Sequence, residues 1–139
     1  MKNFKITIIT LALILLTGCM PMYRPPDFSR LVNLDVSALQ SPEICINHKW
    51  YSLMKNKQGI AKIPYGNRVT LDNHFYQPQA FGNGNISCFP SLSFEPQKGE
   101  TYYADFRLKN EICLISMYVK SDINKLGIAL EPSTAAGEC

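Results

Sequence analysis

From Leu31 onward, apolar residues recur at every second position in short bursts, and each burst ends at Pro, Gly, Asn or a charge. Alternation with period two places one set of side chains on one face of a strand. Residues 31–39 carry Val32, Leu34 and Val36 in this register, and residues 68–76 carry Val69, Leu71, Asn73 and Phe75. Residues 43–53 read as one further strand whose mixed pattern leaves its inward face open. Residues 59–67 read as a strand closing in a Pro-Tyr-Gly-Asn turn. The same alternation sets Ile86, Cys88, Leu92 and Phe94 together, then Tyr102, Ala104, Phe106 and Leu108, then Cys113, Ile115, Met117 and Val119. A last short strand is expected within 126–132, and Pro90 inside a strand marks an edge or a bulge. No window after residue 18 shows a helical stripe. Six to eight short strands in one chain predict an all-β fold, a single antiparallel β-sandwich or barrel.

The first 18 residues follow another pattern. Lys2 and Lys5 precede an apolar block, Ile6 to Leu16, broken only by threonines. Eleven helical residues reach about 16 Å, well short of the ~30 Å hydrocarbon core of a bilayer. A basic start and a short apolar core predict a cleaved export signal. Its end, Leu16-Thr17-Gly18-Cys19, resembles the lipobox of bacterial lipoproteins. That resemblance implies a diacylglyceryl thioether on Cys19, cleavage before it and acylation of the new amino group. It also implies a membrane partner engaged through lipid, since two or more acyl chains hold a protein firmly without spanning. Met20, where an inner-membrane retention aspartate is typical, favours the outer membrane of a Gram-negative cell, on its periplasmic face. The expected organisation is a leader over 1–18, a lipidated Pro-rich stalk over 19–30 and a β domain over 31–139. Tyr23 and Phe28 are the stalk residues with the means to touch the domain or the lipid.

Cleavage before residue 19 leaves 121 of the 139 residues, enough for one domain. It also removes two of the 14 basic residues, leaving twelve against eleven acids, a net charge of +1. No run of Lys or Arg is present, which speaks against nucleic acid as a partner. Of the five cysteines, Cys19 is assigned to lipid and four remain, an even number in an oxidising compartment. Their spacing includes no CxxC or CxxH, which argues against zinc or a redox pair. Three connectivities are open. The preferred one joins Cys88 to Cys113 and Cys45 to Cys139, closing one short loop and pinning the C-terminus. Cys88 and Cys113 flank the strand around Phe106, so in one flat sheet they would stand about 10 Å apart, too far to bond. That pairing therefore requires the Cys88 strand to lie in an opposing sheet or at a corner. Free thiols, or a bond from Cys139 to another chain, are the alternatives.

The block from Ser87 to Phe106 carries a Phe-x-Pro-x-x-Gly-x-x-Tyr stretch: Phe94, Pro96, Gly99 and Tyr102, with Tyr103 following. With the 63–71 segment it resembles small proteobacterial lipoproteins built on a transthyretin-like or immunoglobulin-like sandwich, over about residues 44–120. The resemblance implies a sandwich and no assigned activity.

Candidate chemistry is sparse. His48 and His74 are the two histidines, and Asp72 with His74 is the best metal pair, too few donors for a site. No cofactor or metal is expected. Ser and Cys lack the surroundings of a nucleophile relay, so no catalytic residue is assigned. Glu95, Glu100, Asp105 and Glu111 read as turn-flanking acids rather than a paired catalytic set. The polar loop 76–85, with Phe81, Gly82 and Gly84, is the candidate binding loop, because loops on a rigid sandwich frequently bind. Trp50 with Tyr51 is either core or a stacking platform. The expected function is a non-catalytic binding or structural module meeting an envelope protein. The alternatives are an immunity-type inhibitor of a toxic effector and a small envelope hydrolase.

Overall fold

The structure, a computed structural model, describes residues 18–26, 30–78 and 84–139. Most of the leader, Phe28 of the stalk, and Phe81 and Gly82 of the candidate loop lie outside the described residues. The chain forms a disulfide-bonded all-β sandwich. Its strands are β1 (Leu31–Asp35), β2 (Pro42–Ile46), β3 (Lys49–Ser52), β4 (Ile60–Pro64), β5 (Val69–Asn73), β6 (Phe75–Gln77), β7 (Ile86–Cys88), β8 (Ser91–Phe94), β9 (Thr101–Lys109), β10 (Ile112–Lys120), β11 (Ile128–Leu130) and β12 (Ala135–Ala136). One sheet runs β11-β10-β9-β1-β4 and the other β12-β8-β5-β2-β3, with β6 and β7 as a separate ribbon. Every strand pairing is antiparallel except β1 beside β9.

The alternation places the core as expected. Val32, Leu34, Ala61, Ile63, Tyr102, Ala104 and Met117 from the first sheet meet Ile44, Val69, Leu71, Leu92 and Phe94 from the second. Full burial of one such large apolar side chain stabilises by about 1.5–3 kcal/mol. The Phe94–Tyr102 stretch carries the chain from one sheet to the other. Phe94 and Pro96 are buried, their neighbour Gly99 takes φ 86°, and Tyr102 packs its ring 5.2 Å from that of Phe94. The Gln97 N–H donates to the Tyr102 hydroxyl at 2.7 Å, the geometry of a tyrosine corner.

Three long strands expected from the sequence are broken. Residues 43–53 form a hairpin, turning at Asn47 and His48, both at positive φ (52° and 59°). A two-residue turn of this hand matches strand twist, and without a glycine it leaves little local signal. Residues 68–76 break at His74, and 86–94 break at Phe89–Pro90; the breaks face each other through the Asn73 N–H donating to the Pro90 carbonyl at 3.2 Å. Asn73, on the core face, is fully buried and accepts from the Gln40 and Ser41 N–H groups, tying the β1–β2 connection to this bend. Beyond the bend the β6–β7 ribbon swings over the first sheet. Phe75 packs 4.6 Å from Phe106, and Cys88 bonds Cys113 with 6.3 Å between Cα atoms. The ribbon is the corner that this disulfide requires.

The second disulfide, Cys45–Cys139, ends a C-terminal strap. Ser93, Thr70 and Cys45 stand in one cross-strand row on the outer face of the second sheet. The strap crosses that row: Ser93 donates to the Ala136 carbonyl at 3.0 Å, Thr70 donates to the Glu138 carbonyl, and His48 Nδ1–H donates to the Cys139 carbonyl at 2.6 Å. Gly137 passes tightly over Ser91, where a Cβ would sit 2.3 Å from its Oγ and 2.7 Å from its backbone carbonyl carbon. Gly137→Ala is therefore expected to cost about 1–3 kcal/mol, read as a lower urea midpoint with an unchanged m-value. An unchanged midpoint would contradict this account of the strap.

Residues 21–23, read from the sequence as free stalk, instead run along β3. Ser52 N–H donates to the Pro21 carbonyl at 3.0 Å and Tyr23 N–H to the Ser52 carbonyl at 2.9 Å. Tyr23 is buried, edge-on to Tyr51 at 5.7 Å. Apolar burial of one aromatic ring outweighs the entropy of an open stalk at this point.

Candidate functional site

A groove of about 740 Å³ lies on the outer face of the first sheet. Its floor follows from register. The β9–β10 hairpin turns at Asn110 and Glu111, both at positive φ, and so sets Tyr103 opposite Tyr118 and Asp105 opposite Ser116. Parallel pairing puts Asp35 of β1 beside Tyr103, and antiparallel pairing puts Leu130 of β11 beside Tyr118. A row Asp35–Tyr103–Tyr118–Leu130 thus crosses four strands. Side chains directly opposite on neighbouring strands share a face.

One wall is the β10–β11 connection, held by a local hydrogen-bond set. Asn124 accepts from the Leu126 N–H at 3.0 Å and donates to the Ile128 carbonyl at 2.6 Å. That set fixes Leu126 on the wall with its side chain open to solvent; Leu126 is 85% exposed and Leu130 67%. On the floor, Arg107 Nε donates to Asp105 at 2.8 Å, and this partner raises the guanidinium pKa above its ordinary value. Asp35 Oδ1 accepts from the Ser37 N–H at 2.9 Å, and among the described residues its second oxygen meets no donor. The groove therefore offers flat aromatic faces, an aliphatic wall and a carboxylate acceptor. This is binding chemistry.

The other sequence candidates are dispersed. Glu95 pairs with Arg68 at 3.3 Å on the second sheet, Asp105 lies on the first, and Glu111 sits at a hairpin tip, so the acids do not converge. His48 is engaged by the strap, and His74 stacks on Phe89 at 4.3 Å. Trp50 is half-buried opposite Cys45 on the outer face, outside the core, while Tyr51 packs against Tyr23. Of Phe81, Gly82 and Gly84 in the candidate loop, Gly84 alone is described; it is exposed with φ 107° and open space around it. Cys19 is exposed and outside both disulfides. The groove itself was missed. Its signal is the symmetric numbering about Asn110 and Glu111, which pairs the two tyrosines once the turn is placed.

Asp72 stands between Glu43 on β2 and Ser91 on β8, and its Oδ1 is buried without a partner. Burial first, and the Glu43 charge second, raise its pKa, against smaller opposing pulls from His74 and the Asn73 N–H. A raised carboxyl pKa means that the folded chain holds the proton more tightly than the unfolded chain. The cost of ionising Asp72 is absent below the ordinary carboxyl range and grows as pH rises through the elevated value. Asp72→Asn is expected to raise Tm by a few degrees at neutral pH and to leave it unchanged near pH 3. An equal gain at both pH values would contradict that cause.

Among the described residues no helix is long and apolar enough to cross a membrane. Comparison with known protein families, with curated proteins and with solved structures finds no match to this chain.

Proposed function

We propose that this protein is a lipid-anchored, non-catalytic binding module of the Gram-negative envelope. Acyl chains on Cys19 hold it to the outer membrane, on the periplasmic face, and the Tyr103–Tyr118 groove receives a segment of another envelope protein. The observation that carries the binding role is that groove: an aromatic floor and exposed Leu126 and Leu130 on a rigid sheet. Two disulfides in a sandwich suit an oxidising compartment outside the cytoplasm. The export address is supported by the Leu16–Cys19 sequence and by the exposure of Cys19. The occupant best matched to the floor is an apolar side chain with a neighbouring donor or cation for Asp35.

A photo-reactive amino acid at Leu126, in the full chain in intact producing cells, tests the binding role. The expected result is one adduct of discrete mass, lost when Tyr103 and Tyr118 are replaced by Ala. The same probe at Lys98, in the β8–β9 turn, should give none. Equal adducts from both positions, or none from Leu126, would overturn the assignment.

A further inference from the structure

The strands β3 and β4 are the edge strands of the two sheets on one side of the sandwich, and Tyr23 fills the seam between them. Two grooves, of about 350 and 450 Å³, run along the seam on either side of that ring. Their described lining carries four cations, Arg24, Lys49, Lys55 and Lys62, and no acid. Among the described residues none of the four has a carboxylate partner, the two ion pairs there being Arg68–Glu95 and Arg107–Asp105. Lys62 reaches Asn33 at 2.6 Å, Lys55 reaches the Leu39 carbonyl at 2.7 Å, and Lys49 lies over the Tyr51 ring at 5.4 Å. Among the described residues these three lysines meet neutral partners only.

That distribution polarises the molecule. Residues 19–139 carry a net +1, so four cations on the seam leave −3 for the remainder. Met20, Met22 and Met54 add apolar surface along the same side, exposed by 43, 48 and 58%. The chain also enters here. Cys19 is two residues before Pro21, which is bonded to the β3 edge, and two residues span at most about 7 Å. A group attached to Cys19 is held beside the seam.

Resting on the anchoring reading above, we propose that this seam is a second membrane contact. It lies flat on an anionic lipid surface beside the acyl chains, its cations facing headgroups and its methionines entering the boundary region. Each Lys or Arg at such a surface contributes about 1 kcal/mol, and the attraction acts within a Debye length of about 8–10 Å. The geometry also orients the binding groove. β11 is at the opposite edge of the first sheet from β4, so Leu126 and Leu130 stand away from the bilayer, open to a partner in the aqueous phase.

Lysine acetylation of the full chain purified from its producing cells tests this, read by mass spectrometry on vesicles of phosphatidylcholine alone or with three parts in ten phosphatidylglycerol. Acetylation of Lys49, Lys55 and Lys62 is expected to slow by about three- to five-fold on the anionic vesicles. Lys98, Lys109 and Lys125, away from the seam, should keep their rates. Equal rates on the two lipids at the seam lysines, or uniform slowing at all six, would overturn the seam assignment. Intact mass on the same sample separates the two proposals. An acyl increment with no seam protection leaves the anchor standing and removes the seam; seam protection without the increment does the reverse.

Discussion

Cys45→Ala, or Cys139→Ala, is expected to lower the unfolding free energy by about 4 kcal/mol. The bond closes a loop between residues 94 apart, and loop-closure entropy in the unfolded chain grows with the logarithm of that length. The loss is large against the ~5–15 kcal/mol that holds a typical domain together. It should appear as a lower urea midpoint under non-reducing conditions, together with rapid proteolysis of residues 133–139. Without the bond the strap keeps the two-residue β12–β8 pairing and a few side-chain contacts to its carbonyls, each worth about 1 kcal/mol. Cutting Cys88–Cys113, whose ends are 25 residues apart, should cost about 3 kcal/mol. Equal stability of the Cys45→Ala variant and the parent would show that the strap does not constrain the fold.

Tyr102→Ala is expected to cost about 3–5 kcal/mol. The ring is fully buried where the chain changes sheets, packed on Phe94, and its hydroxyl holds the Gln97 N–H. Tyr102→Phe separates the two contributions. It keeps the packing and strands one backbone donor, for about 1–3 kcal/mol. The ranking parent, Phe, Ala in denaturant midpoint is the expected outcome, and a Phe variant as unstable as the Ala variant would place the whole effect in the hydrogen bond.

How much of this was legible in the sequence depends on which physical rule each feature obeys. Period-two alternation is local, so Leu34, Leu71, Phe94, Tyr102 and Met117 were legible as inward positions. The disulfide pairs were preferred from chain entropy, and the corner that one of them requires followed from strand spacing alone. The break at His74 was not legible, because it depends on Asn73 reaching the connection after β1 across 33 residues. The Asn47–His48 turn lacked the glycine that marks such hairpins. Docking of residues 21–23 arises from the free edge of β3, a property of the assembled sheet that no feature of Pro21 or Tyr23 announces. The groove over Tyr103 and Tyr118 is also tertiary. Its tyrosines are unremarkable singly and become a floor only when β9 and β10 pair in register, whereas the loop around Gly84 attracted attention for composition alone.

The proposed anchor gives a reason for a small domain to close both its tail and its N-terminal segment against itself. A short connection to lipid leaves the folded part next to a surface, and an edge strand left open there is a template for unwanted pairing. Pro21–Tyr23 covers β3, and the strap crosses the outer face of the same sheet on the way to Cys45.

Mass spectrometry of the intact chain, taken non-reduced from its producing cells, tests the central claim most directly. The expected species begins at Cys19, carries a diacylglyceryl and an acyl increment on that residue, and has its other four cysteines in two disulfides. A chain that retains residues 1–18, or that shows an unmodified thiol at Cys19, would contradict the lipid-anchored account.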